Sequence, residues 1–189
     1  MNTNQSSSAE QMSFSLSDVI VSMWLERILG HEGGFSLDPN DRGNYTGGEV
    51  GIGELKGTKW GIASNTYPHL DIKNLTSIDA AKIYRADYLE PLAADLYADG
   101  VAFQLLDFAV NSGPRRAIKS IQKVVKVKAD GIIGDKTIDA INQYSESDLI
   151  MLLTAYRIDF MTRLKTWKHH GQGWMRRIAG NLRYGAIDS

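Results

Sequence analysis

Seven glycines fall within residues 35–61, at positions 43, 47, 48, 51, 53, 57 and 61, with Gly34 just before them. A glycine inside a helix costs about 1 kcal/mol relative to alanine. This stretch therefore reads as tight turns and short strands. On both sides of it, apolar residues recur at helical spacing. The chain is expected to be mainly α, with one small glycine-rich β-hairpin or loop folded across a cleft.

The first helix is expected to begin near Ser15 or Ser17, where Ser15 and Asp18 form a shortened capping box. Val19, Ile20, Met23, Trp24 and Ile28 follow its period, and Gly33-Gly34 favour its termination. Thr76 and Asp79 mark another box-like start, followed by Ile78, Ala81, Ile83, Tyr84 and Tyr88. A helix near 100–111 is apolar on most sides and should be central and buried. Pro114 suits the first residue of the next helix. Asp135 opens a short helix through Asn142, Glu146 a long one to Trp167, and a last helix is expected from about Gly173.

The chain has 189 residues, enough for one domain or two closely packed lobes, and no cysteine. Disulfides, thiolate metal sites and a cysteine nucleophile are thereby excluded. Charge is uneven: residues 1–100 hold 14 acids against 7 bases, and residues 101–189 hold 8 against 14. A basic half can meet an anionic polymer, although no base-reading motif is present and nucleic acid is not expected as a partner. Residues 1–13 are polar and are expected to be a disordered tail. They lack the basic and apolar regions of a signal peptide, and Val19–Leu29 is too short and too charged to span a bilayer.

Glu32 falls at the expected end of the first helix. There the negative end of the macrodipole disfavours its ionised form. A carboxyl that keeps its proton near neutral pH suits a general acid. Glycosidic cleavage needs a second carboxylate across the cleft, or a polar group that holds water. Asp38, Asp41, Glu49 and Glu54 are the acids that the glycine-rich segment could bring to face Glu32. No cofactor or metal is expected. Asp38, Asn40, Gly43 and Glu49 match part of a calcium loop, but Arg42 stands where a ligand oxygen is required. His31-Glu32 opens like a zinc-protease motif, but Phe35 replaces the second histidine. His169 and His170 are adjacent on a helix and suit a surface role.

The ordered motifs resemble a known family. His31-Glu32-Gly33-Gly34-Phe35 resembles the Glu-Gly-Gly-aromatic signature of glycoside hydrolase family 108, muramidases of phage-endolysin type. Asp38-Pro39-Asn40-Asp41-Arg42-Gly43 and Thr58-Lys59-Trp60-Gly61-Ile62 are similar to its following segments, and Asp107–Gly113 to its buried helix. Ile121-Gln122 and Asp130–Thr137 resemble its C-terminal predicted peptidoglycan-binding segment. The resemblance covers about residues 24–184.

That resemblance implies a lysozyme-like bilobed domain over residues 14–189. Its catalytic lobe would span 14–100, with Glu32 and the hairpin, and its helical lobe 101–189, with the peptidoglycan-binding-like segment. It implies hydrolysis of the β-1,4 bond between N-acetylmuramic acid and N-acetylglucosamine, with Glu32 as general acid. Asp41, nine positions on, and Thr58 are the residues that would position water. Thr46 is a rival to Thr58, and Glu49 and Glu54 are substitutes for Asp41, because residues 44–57 look like an insertion. Trp60 and Tyr45 are candidates to stack on sugar. Peptidoglycan is the expected partner of a monomeric chain. Storage in the host cytoplasm, holin-dependent release and action at the wall are further expectations. A lytic transglycosylase and a non-catalytic wall-binding module are the alternative readings.

Overall fold

The computed structural model describes residues 18–29 and 34–188. Glu32, Ser15 and the tail 1–13 lie outside those residues. Helix α1, Asp18–Leu29, buries Val21, Trp24, Leu25 and Ile28, the i, i+3, i+4, i+7 stripe that a half-buried helix requires. The glycine-rich segment follows, with a 3₁₀ turn at Arg42–Asn44 and two short strands, β1 (Thr58–Lys59) and β2 (Ile62–Ala63). The strands are antiparallel, with Thr58 opposite Ala63 and Lys59 opposite Ile62. Helix α2, Ser77–Tyr84, opens on the expected box, in which the Thr76 hydroxyl and the Asp79 carboxylate each accept a backbone N–H from the other residue. It continues through a π turn, Arg85–Leu89, into the short α3, Glu90–Leu92.

Helix α4, Asp99–Ser112, is the axis of the molecule, and every residue from Gly100 to Phe108 and Ala109 is buried. A helix can be apolar all round only when other elements surround it. α1 meets it through Trp24 against Phe103, rings edge-on at 5.9 Å. Helix α5, Pro114–Val124, begins on Pro114 as expected, and the short α6, Asp135–Ile141, follows. Helix α7, Glu146–Thr162, starts on a Ser145 cap, and helix α8, Trp167–Asp188, closes the fold. α7 and α8 run antiparallel, since Gly185 near the end of α8 lies against Ile150 near the start of α7.

Two boundaries correct the expected ones. α7 stops at Thr162 instead of Trp167. α8 starts at Trp167 instead of Gly173. Gly173, where the last helix is expected to begin, lies inside α8, and so does Gly171. A Cβ at Gly171 would sit 2.8 Å from the Trp167 ring, so the glycine there lets the indole lie down on its own helix. No helix among the described residues is long and apolar enough to cross a membrane.

Candidate active site

Asn44 organises the glycine-rich segment. It is fully buried, although a loop asparagine is more often exposed. Its Nδ2 donates to the Asp38 carbonyl at 3.0 Å, and its N–H donates to the Asp41 carbonyl at 3.1 Å. Its Oδ1 accepts from the Thr58 hydroxyl at 2.8 Å. Its carbonyl accepts from the N–H groups of both Lys56 and Gly57, at 2.9 and 3.1 Å. One buried residue thus joins the Asp38–Asp41 turn to strand β1 and closes the base of the intervening loop. Nothing in the hydrophobic pattern marks Asn44, and the sequence reading missed it. Its only signal was a polar residue seated between two candidate motifs.

Asp41 caps the 3₁₀ turn, its Oδ1 accepting from the Gly43 N–H at 2.8 Å. A Cβ at Gly43 would lie 3.2 Å from that oxygen, which is tight, so a glycine eases this cap. The Asp41 side chain is exposed. Among the described residues its other carboxylate oxygen has no partner. Thr58 is half-buried in β1 and bridged to Ser36 by backbone hydrogen bonds of 2.8 and 2.9 Å. Its hydroxyl proton goes to Asn44, so the oxygen can still act only as an acceptor.

The sugar-stacking candidates sit on either side. Tyr45 pairs with Leu55 across the loop, and its hydroxyl donates to the Pro39 carbonyl at 3.1 Å. Trp60 and Gly61 form the hairpin turn with φ of 54° and 71°, the positive pair that a tight hairpin demands. A tryptophan in that region is unusual. It is held there by Tyr84, whose hydroxyl donates to the Trp60 carbonyl at 3.2 Å. Burial pushes the Tyr84 hydroxyl up to about 12, assisted by the nearby Tyr88, so it keeps the proton it donates. The Trp60 ring is half-buried against the core, and its indole N–H is buried without a partner among the described residues.

The remaining candidates lie further out along the loop. The Thr46 hydroxyl accepts the Glu54 N–H at 2.9 Å. Glu49 lies at the exposed tip, where the Ile52 N–H bonds its carbonyl. Glu54 pairs with Lys56 at 3.5 Å and lines a groove of about 440 Å³ with Phe35, His69 and Asp71. The structure therefore gathers Asp41 and Thr58 around Asn44, with Tyr45 next to it in the chain.

The segment that carries Glu32 is flanked by residues that touch the same hairpin. Leu29 packs where a Cβ on Gly61 would come within 3.3 Å of it. Phe35 lies within 2.6 Å of the Cβ position of Gly57. Behind the hairpin, the Tyr67 hydroxyl donates to the Asp87 carboxylate on the π turn. Burial, and then that bond, hold the Tyr67 proton well above the usual tyrosine range.

The C-terminal motif has its own organising residue. Gln122 is buried. Its Nε2 donates to Asp130 Oδ1 and the Ile132 carbonyl, both at 2.9 Å, and its Oε1 accepts the Gly131 N–H at 2.9 Å. The Asp130–Ile132 part of the motif is thus a turn pinned to α5, and the motif runs on into the first turn of α6.

The family model described as Glycosyl hydrolase 108 matches residues 25–113. That described as Predicted Peptidoglycan domain matches residues 116–179. The solved structure of SagA from Brucella abortus is similar to this chain at 30% identity and a TM-score of 0.70, over 92% of this chain and 97% of that one. A search of curated proteins found no match. An ordered N-terminal glycosidase match, a following peptidoglycan-domain match and a full-length structural relative leave one assignment. The chain belongs to glycosyl hydrolase family 108 and is a mainly α, lysozyme-like glycoside hydrolase that acts on peptidoglycan.

Proposed function

We propose that the enzyme is a muramidase that hydrolyses the β-1,4 bond between N-acetylmuramic acid and N-acetylglucosamine. Glu32 protonates the glycosidic oxygen, and Asp41 and Thr58 hold the attacking water. The observation that carries this reading is Asn44, which ties the Asp41 turn and Thr58 into one hydrogen-bonded unit. Both groups face the water as acceptors, since the Thr58 proton is committed to Asn44. A water that donates one hydrogen to each keeps its lone pair for the anomeric carbon. Leu29 and Phe35, on either side of the Glu32 segment, rest on the same hairpin. That supports a general acid drawn from the segment between them.

In this arrangement Asp41 does not itself bond to the sugar, and the outcome is inversion. Tyr45 and Trp60 border the site and contact the sugar rings. The single domain of 14–189 is divided functionally, with 14–100 catalytic and 101–189 helical and wall-facing. The enzyme acts as a monomer at the wall, after release from the cytoplasm by a membrane-permeabilising partner.

The test is Glu32→Gln on purified peptidoglycan. The variant should fold normally and lose at least about 100-fold in hydrolysis, within the range for loss of a general acid. Products of the parent should carry reducing muramic acid ends, read by mass spectrometry. Near-parental hydrolysis by the folded variant would remove Glu32 from its role, and 1,6-anhydro ends would make the enzyme a lytic transglycosylase.

A further inference from the structure

The groove between α5 and α7 has no part in the chemistry proposed at the hairpin. It has a volume of about 480 Å³. Arg115, Arg116, Lys119 and Lys123 of α5 line it, with Tyr156 and Phe160 of α7 opposite. No acidic side chain lines it, and among the described residues none of the four cations is in an ion pair. Two of them are instead set against the aromatics. Arg116 lies over the Phe160 ring at 5.3 Å, and Lys123 lies 5.8 Å from the Tyr156 ring centre. The Lys123 Nζ donates to the Tyr156 hydroxyl at 3.2 Å. Arg115 and Lys119 lie along the pinned turn at Gly131, where a Cβ would come within 2.8 and 3.3 Å of their side chains. The cations are thus held in place by rings and backbone.

This arrangement is unfavourable for the protein alone. Arg115, Lys119 and Lys123 repeat at i, i+4, i+8, and like charges at that spacing repel. Arg115 and Arg116 stand in the first turn of α5, which holds no acid, at the end of the macrodipole that disfavours cations. An anion in the groove relieves both costs at once. Aromatic walls favour a ligand that also carries apolar atoms over a bare inorganic ion.

We propose that this groove binds the carboxylates of the peptide stems of peptidoglycan, and so holds the enzyme on its polymer through the stems while the hairpin works on the glycan. The proposal rests on peptidoglycan being the substrate and not on the role of Glu32. Stem peptides are short, carry free carboxylates and have alkyl side chains and backbones to lay on Phe160 and Tyr156. The groove lies on helices that begin just after the end of the glycosidase match, mostly within the predicted peptidoglycan domain.

The test measures co-sedimentation of the full chain with two preparations, in the cold over short incubations. One is native sacculi; the other is sacculi whose carboxyls have been amidated with carbodiimide and ammonia. The parent should bind native sacculi at least ~10-fold more tightly than amidated ones, with the difference shrinking as salt screens the charges. The double variant Arg116→Glu/Lys123→Glu should bind native sacculi as weakly as the parent binds amidated ones. Hydrolysis of soluble, stem-free glycan strands by this variant should stay at the parental level. Arg116→Gln/Lys123→Gln repeats the test with less perturbation if the reversal fails to fold. Equal binding of the parent to both preparations, or unchanged binding by the folded variants, overturns the proposal. So does a groove variant that loses binding only to phosphatidylglycerol vesicles, which assigns the groove to lipid. Loss of hydrolysis in Glu32→Gln tests the catalytic reading separately, since sacculus binding does not depend on it.

Discussion

A buried asparagine with both ends of its amide engaged is a poor place for substitution. In Asn44→Ala the Thr58 hydroxyl loses its acceptor, and the Asp38 carbonyl keeps only the Asp41 N–H. Leaving the part-buried Thr58 hydroxyl unpaired costs about 1–3 kcal/mol. The variant should show a lower denaturant midpoint and a reduced kcat, because Asp41 and Thr58 lose their common reference. Unchanged kcat in a measurably destabilised Asn44→Ala would mean that the loop is held for stability alone. Asp41→Asn asks a different question. It keeps the cap on the Gly43 N–H through its amide oxygen but removes the charge that orients water. Hydrolysis should fall while binding of an uncleaved glycan, followed by calorimetry, is retained. Parental activity in Asp41→Asn, with inactivity in Glu54→Gln, would move the role to the neighbouring groove.

At the scale of elements, the helices whose ends carry side-chain or proline signals were legible. Thr76 with Asp79, and Pro114, each mark a start through backbone groups that need a partner or cannot donate. The start of α8 was not legible, because glycine marks both a broken helix and a helix that something lies against. The two helix glycines should therefore respond oppositely to alanine. Gly171→Ala drives a methyl into the Trp167 ring, an overpacking that costs roughly 1–3 kcal/mol. Gly173 has nothing within 4 Å of its Cβ position, so Gly173→Ala should stabilise by up to about 1 kcal/mol. Thermal melts of the pair decide it, and a stabilised Gly171→Ala would show the indole is free to move. The π turn at Arg85–Leu89 and the positive φ of Trp60 were also hidden. Both are held by side chains distant in sequence: Arg85 by Asp18 at 3.2 Å, and Trp60 by Tyr84. At the site, the sequence marked Asp41 and Thr58 through local motif, whereas Asn44 links them through contacts that no local pattern encodes.

Across the whole molecule, one buried acid draws the two family matches together. Asp107 of α4 is fully buried, with Arg157 of α7 at 2.5 Å from one oxygen and Arg177 of α8 at 2.7 Å from the other. Burial by itself would raise its carboxyl, but the two guanidinium groups outweigh it and hold it below the usual carboxylate range. A depressed folded-state value means that the bound proton is disfavoured by folding. The stabilisation is therefore complete above the unfolded value, near about 3.9, and is lost as pH falls through the folded one. Asp107→Asn leaves Arg157 buried without a counter-charge and should cost about 3–5 kcal/mol at neutral pH. Urea titrations should show that this deficit shrinks in strong acid, and a pH-independent deficit would point to shape instead of charge. Arg157 also lies over the Phe108 ring at 4.9 Å, so its place in the core is doubly fixed. During synthesis this has an effect on timing. The ribosome finishes the residues matched as glycosidase first, but the buried acid near their C-terminal end waits for partners 50 and 70 positions downstream. A partly made chain holds every residue of the proposed chemistry but neither guanidinium that balances Asp107, so this buried charge is paired only once the C-terminal helices have emerged.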